Sequence, residues 1–174
     1  HGVVVMNTPF GNAITTAEHA IALMFAVARQ VPDANTSTQA GKWEKNRFMG
    51  VEVTGKTLGL IGAGNIGSIV ADRALGLRMK VVAFDPFLEP EQAKRIGVEL
   101  LELDDLMRQG DVVTLHTPFS KATKNLIDAR RLGLMKPEAL FINCGRGGLV
   151  DEDALLAALE AGRIAGAGLD VYEE

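Results

Sequence analysis

Short apolar runs alternate with helical patterns over most of the chain, from about residue 57 to residue 170. The runs are apolar nearly throughout, which is typical of strands that are buried on both faces. Strands of this kind, separated by helices, predict an α/β fold with a doubly wound parallel sheet. The predicted strands are 58–61, 81–84, 99–100, 112–115, 140–143 and 166–169. The predicted helices lie near 66–78, 90–96, 103–109, 128–134 and 152–161, with Asp151 as the N-cap of the last.

One strongly apolar helix precedes this alternating pattern. The sequence Thr-Thr-Ala-Glu at residues 15–18 matches a capping box, so we predict a helix from Thr15 to about Val31, ended by Pro32. Its apolar residues, Met24 and Phe25 among them, nearly encircle it, which predicts burial on most sides. Such burial is hard to arrange within one domain of this size. We therefore expect this helix to form the contact of a homo-oligomer.

The size and charge of the chain limit its function. Its 174 residues are enough for one domain with a sizeable core, and it has a net charge of −4 and no basic cluster, which argues against a nucleic-acid partner. The longest apolar run, 20–28, is too short to span a membrane. The single cysteine, Cys144, excludes an internal disulfide and suits a cytoplasmic location. Because the chain begins with His1 and stops within an unfinished segment, we expect a piece of a longer protein.

The most informative motif is Gly62-Ala-Gly64-Asn-Ile-Gly67, which follows the first predicted strand and opens a helix. Gly62 permits a tight turn, Gly64 leaves room for a pyrophosphate, and Gly67 permits close packing of helix on strand. The helix N-terminus adds unpaired N–H groups and a partial positive charge. Asp85, at the end of the next strand, is placed to accept hydrogen bonds from a ribose diol. Together these residues predict a dinucleotide site with a preference for NAD over NADP.

A second glycine motif has a different interpretation. Gly50-Val-Glu-Val-Thr-Gly55-Lys56-Thr57 matches the phosphate-binding loop of nucleoside triphosphatases letter by letter. That loop requires a helix after it, whereas this segment leads straight into the predicted strand 58–61. We therefore interpret Gly55 and Lys56 as part of a turn that enters the strand.

Compact polar groups follow four of the predicted strands, namely Asp85, His116-Thr117-Pro118, Cys144-Gly145-Arg146 and Asp170. Ligands of doubly wound sheets bind beyond the carboxyl ends of the strands, so these groups should line one crevice. Arg146 lies among glycines, and its planar guanidinium suits a carboxylate or a phosphate. His116 fits a structural role as well as a catalytic one, and we expect His19 to be a core or interface histidine. The histidines and Cys144 have no metal-ligand spacing, so no metal site is predicted.

Two further motifs resemble signatures of the NAD-dependent D-2-hydroxyacid dehydrogenases: Asn-Cys-Gly-Arg-Gly-Gly-Leu-Val-Asp-Glu at 143–152 and Gly-Leu-Asp-Val-Tyr at 168–172. Segments 7–9, 28–32, 41–43 and 48–50 resemble more narrowly the phosphoglycerate branch of that family. The resemblance implies that residues 1–174 are the Rossmann-type NAD-binding domain of a two-domain enzyme. It implies oxidation of a small 2-hydroxy acid, 3-phosphoglycerate, in the first step of serine synthesis. Two alternatives stay open, another dehydrogenase of this family, such as a glyoxylate or hydroxypyruvate reductase, and an NAD-sensing corepressor-like binding protein.

The same resemblance implies a set of cofactor contacts, formed by Gly62, Gly64, Asn65, Ile66, Gly67, Asp85, Thr117, Pro118, Cys144, Gly145, Arg146 and Asp170. Within this set, Asn65 and Ile66 would lie at the pyrophosphate and Cys144 near the nicotinamide. Asp170 would hold the nicotinamide carboxamide. Arg146 would be catalytic, binding the substrate carboxylate and the reacting oxygen.

The sequence departs from the family pattern in two respects. The family often has arginine where Asn65 stands, so one contact to the pyrophosphate is expected to be weaker. The catalytic histidine and its glutamate partner are expected beyond Glu174. We therefore predict that the chain binds NAD but does not catalyse by itself.

Overall fold

A computed structural model describes residues 2–6, 8 and 11–173, and within them six strands form one sheet. The strands are β1 (Thr57–Ile61), β2 (Lys80–Phe84), β3 (Glu99–Leu100), β4 (Val112–Leu115), β5 (Leu140–Asn143) and β6 (Gly166–Leu169). Every neighbouring pair is parallel, in the order β3-β2-β1-β4-β5-β6. This is the order of a doubly wound dinucleotide-binding fold. The predicted fold class and strands are confirmed.

The helices are α1 (Ala13–Ala28), α2 (Val31–Gln39), α3 (Asn65–Gly76), α4 (Pro90–Ile96), α5 (Leu103–Gln109), α6 (Ala129–Leu132) and α7 (Glu152–Glu160), with a short 3₁₀ turn at Gly147–Leu149. From α3 onward they match the predicted helices to within about two residues at each end. Asp151 caps α7 as predicted, because its side chain accepts a hydrogen bond from the N–H of Ala154 at 3.0 Å. No helix among the described residues is long and apolar enough to cross a membrane.

The sheet separates two hydrophobic cores. Leu58 and Leu60 of β1 pack on one side with Ala71 of α3, whereas Ile61 packs on the other side with Leu106 of α5. Burial on both faces is the reason why the central strands are continuously apolar. The predicted turn before β1 is also confirmed, because β1, which begins at Thr57, follows Gly55 and Lys56 where a phosphate-binding loop would require a helix.

The ends of α1 differ from the prediction. The helix begins directly after Asn12, so residues 15–18 lie inside it and do not form a capping box. It ends at Ala28, and Gln30 then adopts a left-handed conformation with φ 53°. Pro32 lies in the first turn of α2, where its missing N–H costs no hydrogen bond. The proline therefore begins a second helix, which the sequence analysis missed, and does not end the first.

The packing of α1 also corrects the prediction. Small residues on one side, Ala17 and Ala20 among them, let α1 approach α3 and strands β5 and β6. A Cβ added at Gly166 of β6 would lie 2.9 Å from a methyl of Val27, so a glycine is what admits the helix there. Met24 is only 1% exposed, against this core, and it is not the exposed interface residue that the sequence suggested.

Candidate functional site

The carboxyl ends of the strands and the first turns of α1 enclose a cleft of about 1550 Å³. Seven of the predicted site residues line it: Ile66, Thr117, Pro118, Cys144, Gly145, Arg146 and Asp170. Gly62, Gly64, Asn65, Gly67 and Asp85 are not on its wall, but the glycine turn adjoins the cleft through Ile66. The structure therefore brings the groups after β4, β5 and β6 into one cavity, with the turn after β1 beside it.

The three glycines of the turn have three distinct environments. Gly62 has φ +90°, and a Cβ there would lie 2.8 Å from the carbonyl carbon of His116. A Cβ at Gly67 would lie 2.0 Å from the carbonyl oxygen of Gly62, so the helix could not pack on the turn. A Cβ at Gly64 would meet no atom of the described residues within 4 Å. Gly64 thus borders open space at the start of α3, where no side chain caps the helix.

Asp85 fixes the glycine turn to the end of β2. One carboxylate oxygen accepts a hydrogen bond from the N–H of Ala63 at 2.8 Å, and the other accepts one from the N–H of Phe87 at 2.9 Å. Each oxygen keeps a further lone pair, so the carboxylate can still accept from a diol. Asp85 is half-buried beside the N-terminus of α3 and places a negative charge there.

Asn143 holds the loop that carries Arg146. No role for Asn143 was predicted from the sequence. Its side-chain carbonyl accepts from the N–H of Gly145 at 3.0 Å, and its amide donates to the carbonyl of Arg146 at 3.0 Å. The side chain is buried, with 1% exposure. The guanidinium of Arg146 is exposed and forms no ion pair with a described residue. A polar residue at the end of an otherwise apolar strand was the signal that could have identified this clamp.

Cys144 and Asp170 meet a third residue, His19 of α1. His19 Nε2 lies 3.2 Å from Asp170 Oδ1, and both side chains are about half exposed. Of the two roles that we expected for His19, the core role is wrong, because the residue lines the cleft, and the interface role stays a prediction. Burial, together with the Asp170 carboxylate, raises the pKa of the Cys144 thiol to about 11, so the thiol is protonated at neutral pH. No sequence spacing links these residues, because the fold alone brings α1 to the ends of β5 and β6.

The start of α1 contributes more of the wall than the sequence analysis recognised. Thr15, Thr16 and Glu18 line the cleft together with His19. They are the polar residues of an otherwise apolar helix, and their clustering near its start was the available signal.

His116 is poorly suited to exchange protons at neutral pH. Burial lowers its pKa to about 4. Its Nε2 lies 2.9 Å from the hydroxyl of Thr114, which is itself buried. His116 is therefore an uncharged, hydrogen-bonded imidazole at the end of β4, which favours a structural role.

Comparisons with known proteins agree with this geometry. Residues 21–174 match the family described as D-isomer specific 2-hydroxyacid dehydrogenase, NAD binding domain. The chain is 51% identical over 173 residues to a D-3-phosphoglycerate dehydrogenase of Synechocystis sp., covering 99% of this chain and 31% of the relative. It is 46% identical over 173 residues to the enzyme of the same name from Bacillus subtilis, covering 99% of this chain and 33% of the relative. The chain thus spans about a third of the length of these curated relatives.

Solved structures give the same architecture. A D-lactate dehydrogenase from Aquifex aeolicus, complexed with NAD and lactic acid, superposes with a TM-score of 0.91 at 33% identity, covering 99% of this chain and 52% of that one. A pyruvate reductase of Chlamydomonas reinhardtii superposes with a TM-score of 0.92 at 39% identity, covering 100% of this chain and 51% of that one. Of the segment 7–9, whose sequence resembles the phosphoglycerate branch, residues 7 and 9 lie outside the described residues.

Proposed function

This chain belongs to the D-isomer specific 2-hydroxyacid dehydrogenase family as an NAD-binding domain, and from that premise we propose that it serves an enzyme that oxidises 3-phosphoglycerate to 3-phosphohydroxypyruvate. The observation that supports this choice of substrate is the sequence identity of 43–51% to several relatives named D-3-phosphoglycerate dehydrogenase. The structural neighbours named lactate dehydrogenase or glyoxylate reductase are 32–37% identical. This difference ranks the phosphoglycerate enzyme above another dehydrogenase of the family.

The chain's own residues fit the cofactor. The open space over Gly64 and the uncapped start of α3 suit a pyrophosphate, because backbone N–H groups and the helix dipole both favour an anion. We assign Asp85 to the adenosine ribose and Asp170 to the nicotinamide carboxamide, as the family resemblance implies. When bound, NAD supplies the acceptor for a hydride. Cys144 would then border the nicotinamide. Because the pKa of its thiol is about 11, the sulfur stays protonated at neutral pH and adds no charge beside the ring.

Arg146 is the proposed contact of the substrate carboxylate and the reacting oxygen. Its exposed guanidinium offers paired N–H donors, and the Asn143 clamp fixes the backbone from which it extends. His116 is partly buried, and desolvation lowers its pKa to about 4, so we do not assign it as the proton acceptor. We assign that function to a histidine outside residues 1–174, with a glutamate that raises its basicity, as the family resemblance implies.

The experiment combines two measurements on the purified chain. Calorimetric titration with NAD should show saturable binding to one site, and an assay with NAD and 3-phosphoglycerate should show no turnover. The full-length protein should bind and turn over. Turnover by the chain alone would mean that its own residues include the proton acceptor. A full-length protein that binds NAD but oxidises no 2-hydroxy acid would instead favour the NAD-sensing binding protein.

We also propose that the parent protein is a cytoplasmic homo-oligomer. Its subunits would contact one another through the segment from Thr15 to Val31 and the start of α1. Ile14 near the start of α1 is 55% exposed, and Val31, the first residue of α2, is 52% exposed. Apolar surface therefore remains at the start of α1 and just beyond its end. Ile14→Glu should yield smaller species by light scattering. Leu156→Glu is a matched control, because Leu156 is 56% exposed on α7. An unchanged oligomer in Ile14→Glu and in Val31→Glu would contradict this assignment.

A further inference from the structure

Three side chains that commonly bind metals meet at one end of the cleft. His19 Nε2, Cys144 Sγ and a carboxylate oxygen of Asp170 all lie within 4.8 Å of one another. All three residues line the cleft. We propose that this His19–Cys144–Asp170 cluster binds a zinc ion and that zinc competes there with the cofactor.

The donor set favours zinc over the commoner cellular cations. Zinc is bound by imidazole nitrogen, cysteine sulfur and carboxylate oxygen at bond lengths of about 2.0–2.3 Å, whereas magnesium and calcium prefer oxygen ligands throughout. In a tetrahedral site these bond lengths put neighbouring ligand atoms roughly 3.5 Å apart. The separations between ligand atoms therefore exceed those of a zinc site by at most about 1.3 Å, a difference that side-chain rotation can close. Three protein ligands leave the fourth position to water. Cys144 binds as the thiolate, so its thiol proton is released to solvent when zinc binds.

The protein frame holds the ligands together. His19 is on α1, which packs against both β5 and β6, and Cys144 and Asp170 follow those two strands directly. The N–H of Asp170 donates to the carbonyl of Asn143 at 3.0 Å, which joins the two strand ends. Glu18 and Glu173 line the same cleft, with Arg146 as the cation among its described lining residues. The ligands are thus close before any metal arrives, in a cleft with excess negative charge.

Zinc and NAD should compete because both would contact the same residues of the cleft. Under the proposed function, Asp170 holds the carboxamide and Cys144 borders the nicotinamide. A zinc ion bound to both would occupy that position, so zinc and NAD should each weaken the binding of the other. Metal binding itself does not depend on the proposed function, because it requires only the three side chains.

Cobalt(II) is the probe, because its bond to a thiolate produces an intense near-ultraviolet charge-transfer band. Titration of the chain with Co²⁺ should give this band at one equivalent, and Zn²⁺ should abolish it by displacement. Cys144→Ser should remove the band. His19→Ala and Asp170→Asn should each weaken the affinity by at least about 10-fold, since even outer-shell changes at metal sites cost that much. Asp33→Asn, at an exposed carboxylate of α2, is the matched control and should change nothing.

Two results would overturn the proposal. The absence of the band in the unmodified chain, or an affinity unchanged by both His19→Ala and Asp170→Asn, would show that the cluster is not a metal site. Saturating NAD should raise the apparent Kd of Zn²⁺. If NAD binds to the zinc-loaded chain with unaltered affinity, the competition is wrong. Failure of the chain to bind NAD would contradict the proposed function and the competition but not the metal site. Circular dichroism of each variant checks that it is folded.

Discussion

Gly64→Val should abolish NAD binding while the chain stays folded. Gly64 has φ −69°, outside the left-handed region that favours glycine, and its added Cβ would meet no atom of a described residue within 4 Å. The cost to folding should stay within about 1 kcal/mol, the usual effect of a poorer N-cap residue. The valine side chain would instead fill the space above the start of α3, where the pyrophosphate must approach.

The expected loss of affinity follows from the interactions that the valine blocks. A hydrogen bond to a charged group contributes about 1.5–3 kcal/mol, and a helix N-terminus contributes up to about 1 kcal/mol more. Losing two such bonds costs about 3 kcal/mol or more, which raises the Kd for NAD at least about 100-fold. Calorimetry measures the Kd, and urea unfolding measures the stability.

Two glycines of α3 provide the comparison. Gly76→Val makes the same change at the other end of the helix, also in open space, and should leave NAD affinity unchanged. Gly67→Ala should lower stability as well as affinity, because its Cβ would lie 2.0 Å from the carbonyl oxygen of Gly62. Normal NAD affinity in a folded Gly64→Val chain would refute the placement of the pyrophosphate.

Four further predictions concern other parts of the molecule. NAD should bind more tightly than NADP, because Asp85 would repel the 2′-phosphate, and calorimetry with NADP that matched or exceeded NAD would contradict this. Arg146→Ala in the full-length protein should raise KM and lower kcat at a cost of about 2–5 kcal/mol, with NAD affinity nearly unchanged; wild-type kinetics would remove Arg146 from the site. Asn143→Ala should raise KM for the substrate more than the Kd for NAD, and should cost about 1 kcal/mol of stability by urea unfolding because it removes two partly buried hydrogen bonds. A hydrogen bond from Arg130 lowers the pKa of Asp104 from its usual value of 3.8 to about 2 in the folded chain. Asp104 should therefore stabilise the fold above pH 3.8, and this stabilisation should be lost as the pH falls to about 2. Asp104→Asn should therefore lower the Tm at neutral pH and have little effect near pH 2, and an equal effect at both pH values would contradict this assignment.

The sheet could be predicted because its signals are local. Continuous apolar runs identify doubly buried strands, and the glycine turn with Asp85 at the next strand end identifies the topology. Helix boundaries near the N-terminus failed for a local reason too. Pro32 is compatible with the end of one helix or the first turn of another, and the sequence alone did not distinguish the two.

Contacts between residues far apart in the chain could not be predicted from the sequence patterns. The apolar circumference of α1 predicted burial on most sides, whereas the chain itself buries one stripe of the helix, which includes Met24. The contact between His19 and Asp170 joins residues 151 positions apart, and no periodicity reports it. The Asn143 clamp is local, but an asparagine at a strand end has many possible partners. Its role became visible only with the conformation of the loop.

The central claim, that this NAD-binding domain serves a phosphoglycerate dehydrogenase, is tested most directly by one assay of the full-length protein. Reduction of NAD is followed with 3-phosphoglycerate, glycolate and D-lactate as alternative substrates under identical conditions. The account predicts that kcat/KM is highest for 3-phosphoglycerate by at least about 100-fold, the discrimination of roughly 2.8 kcal/mol that a charged phosphate contact can supply. Equal or greater kcat/KM with glycolate or D-lactate would contradict it.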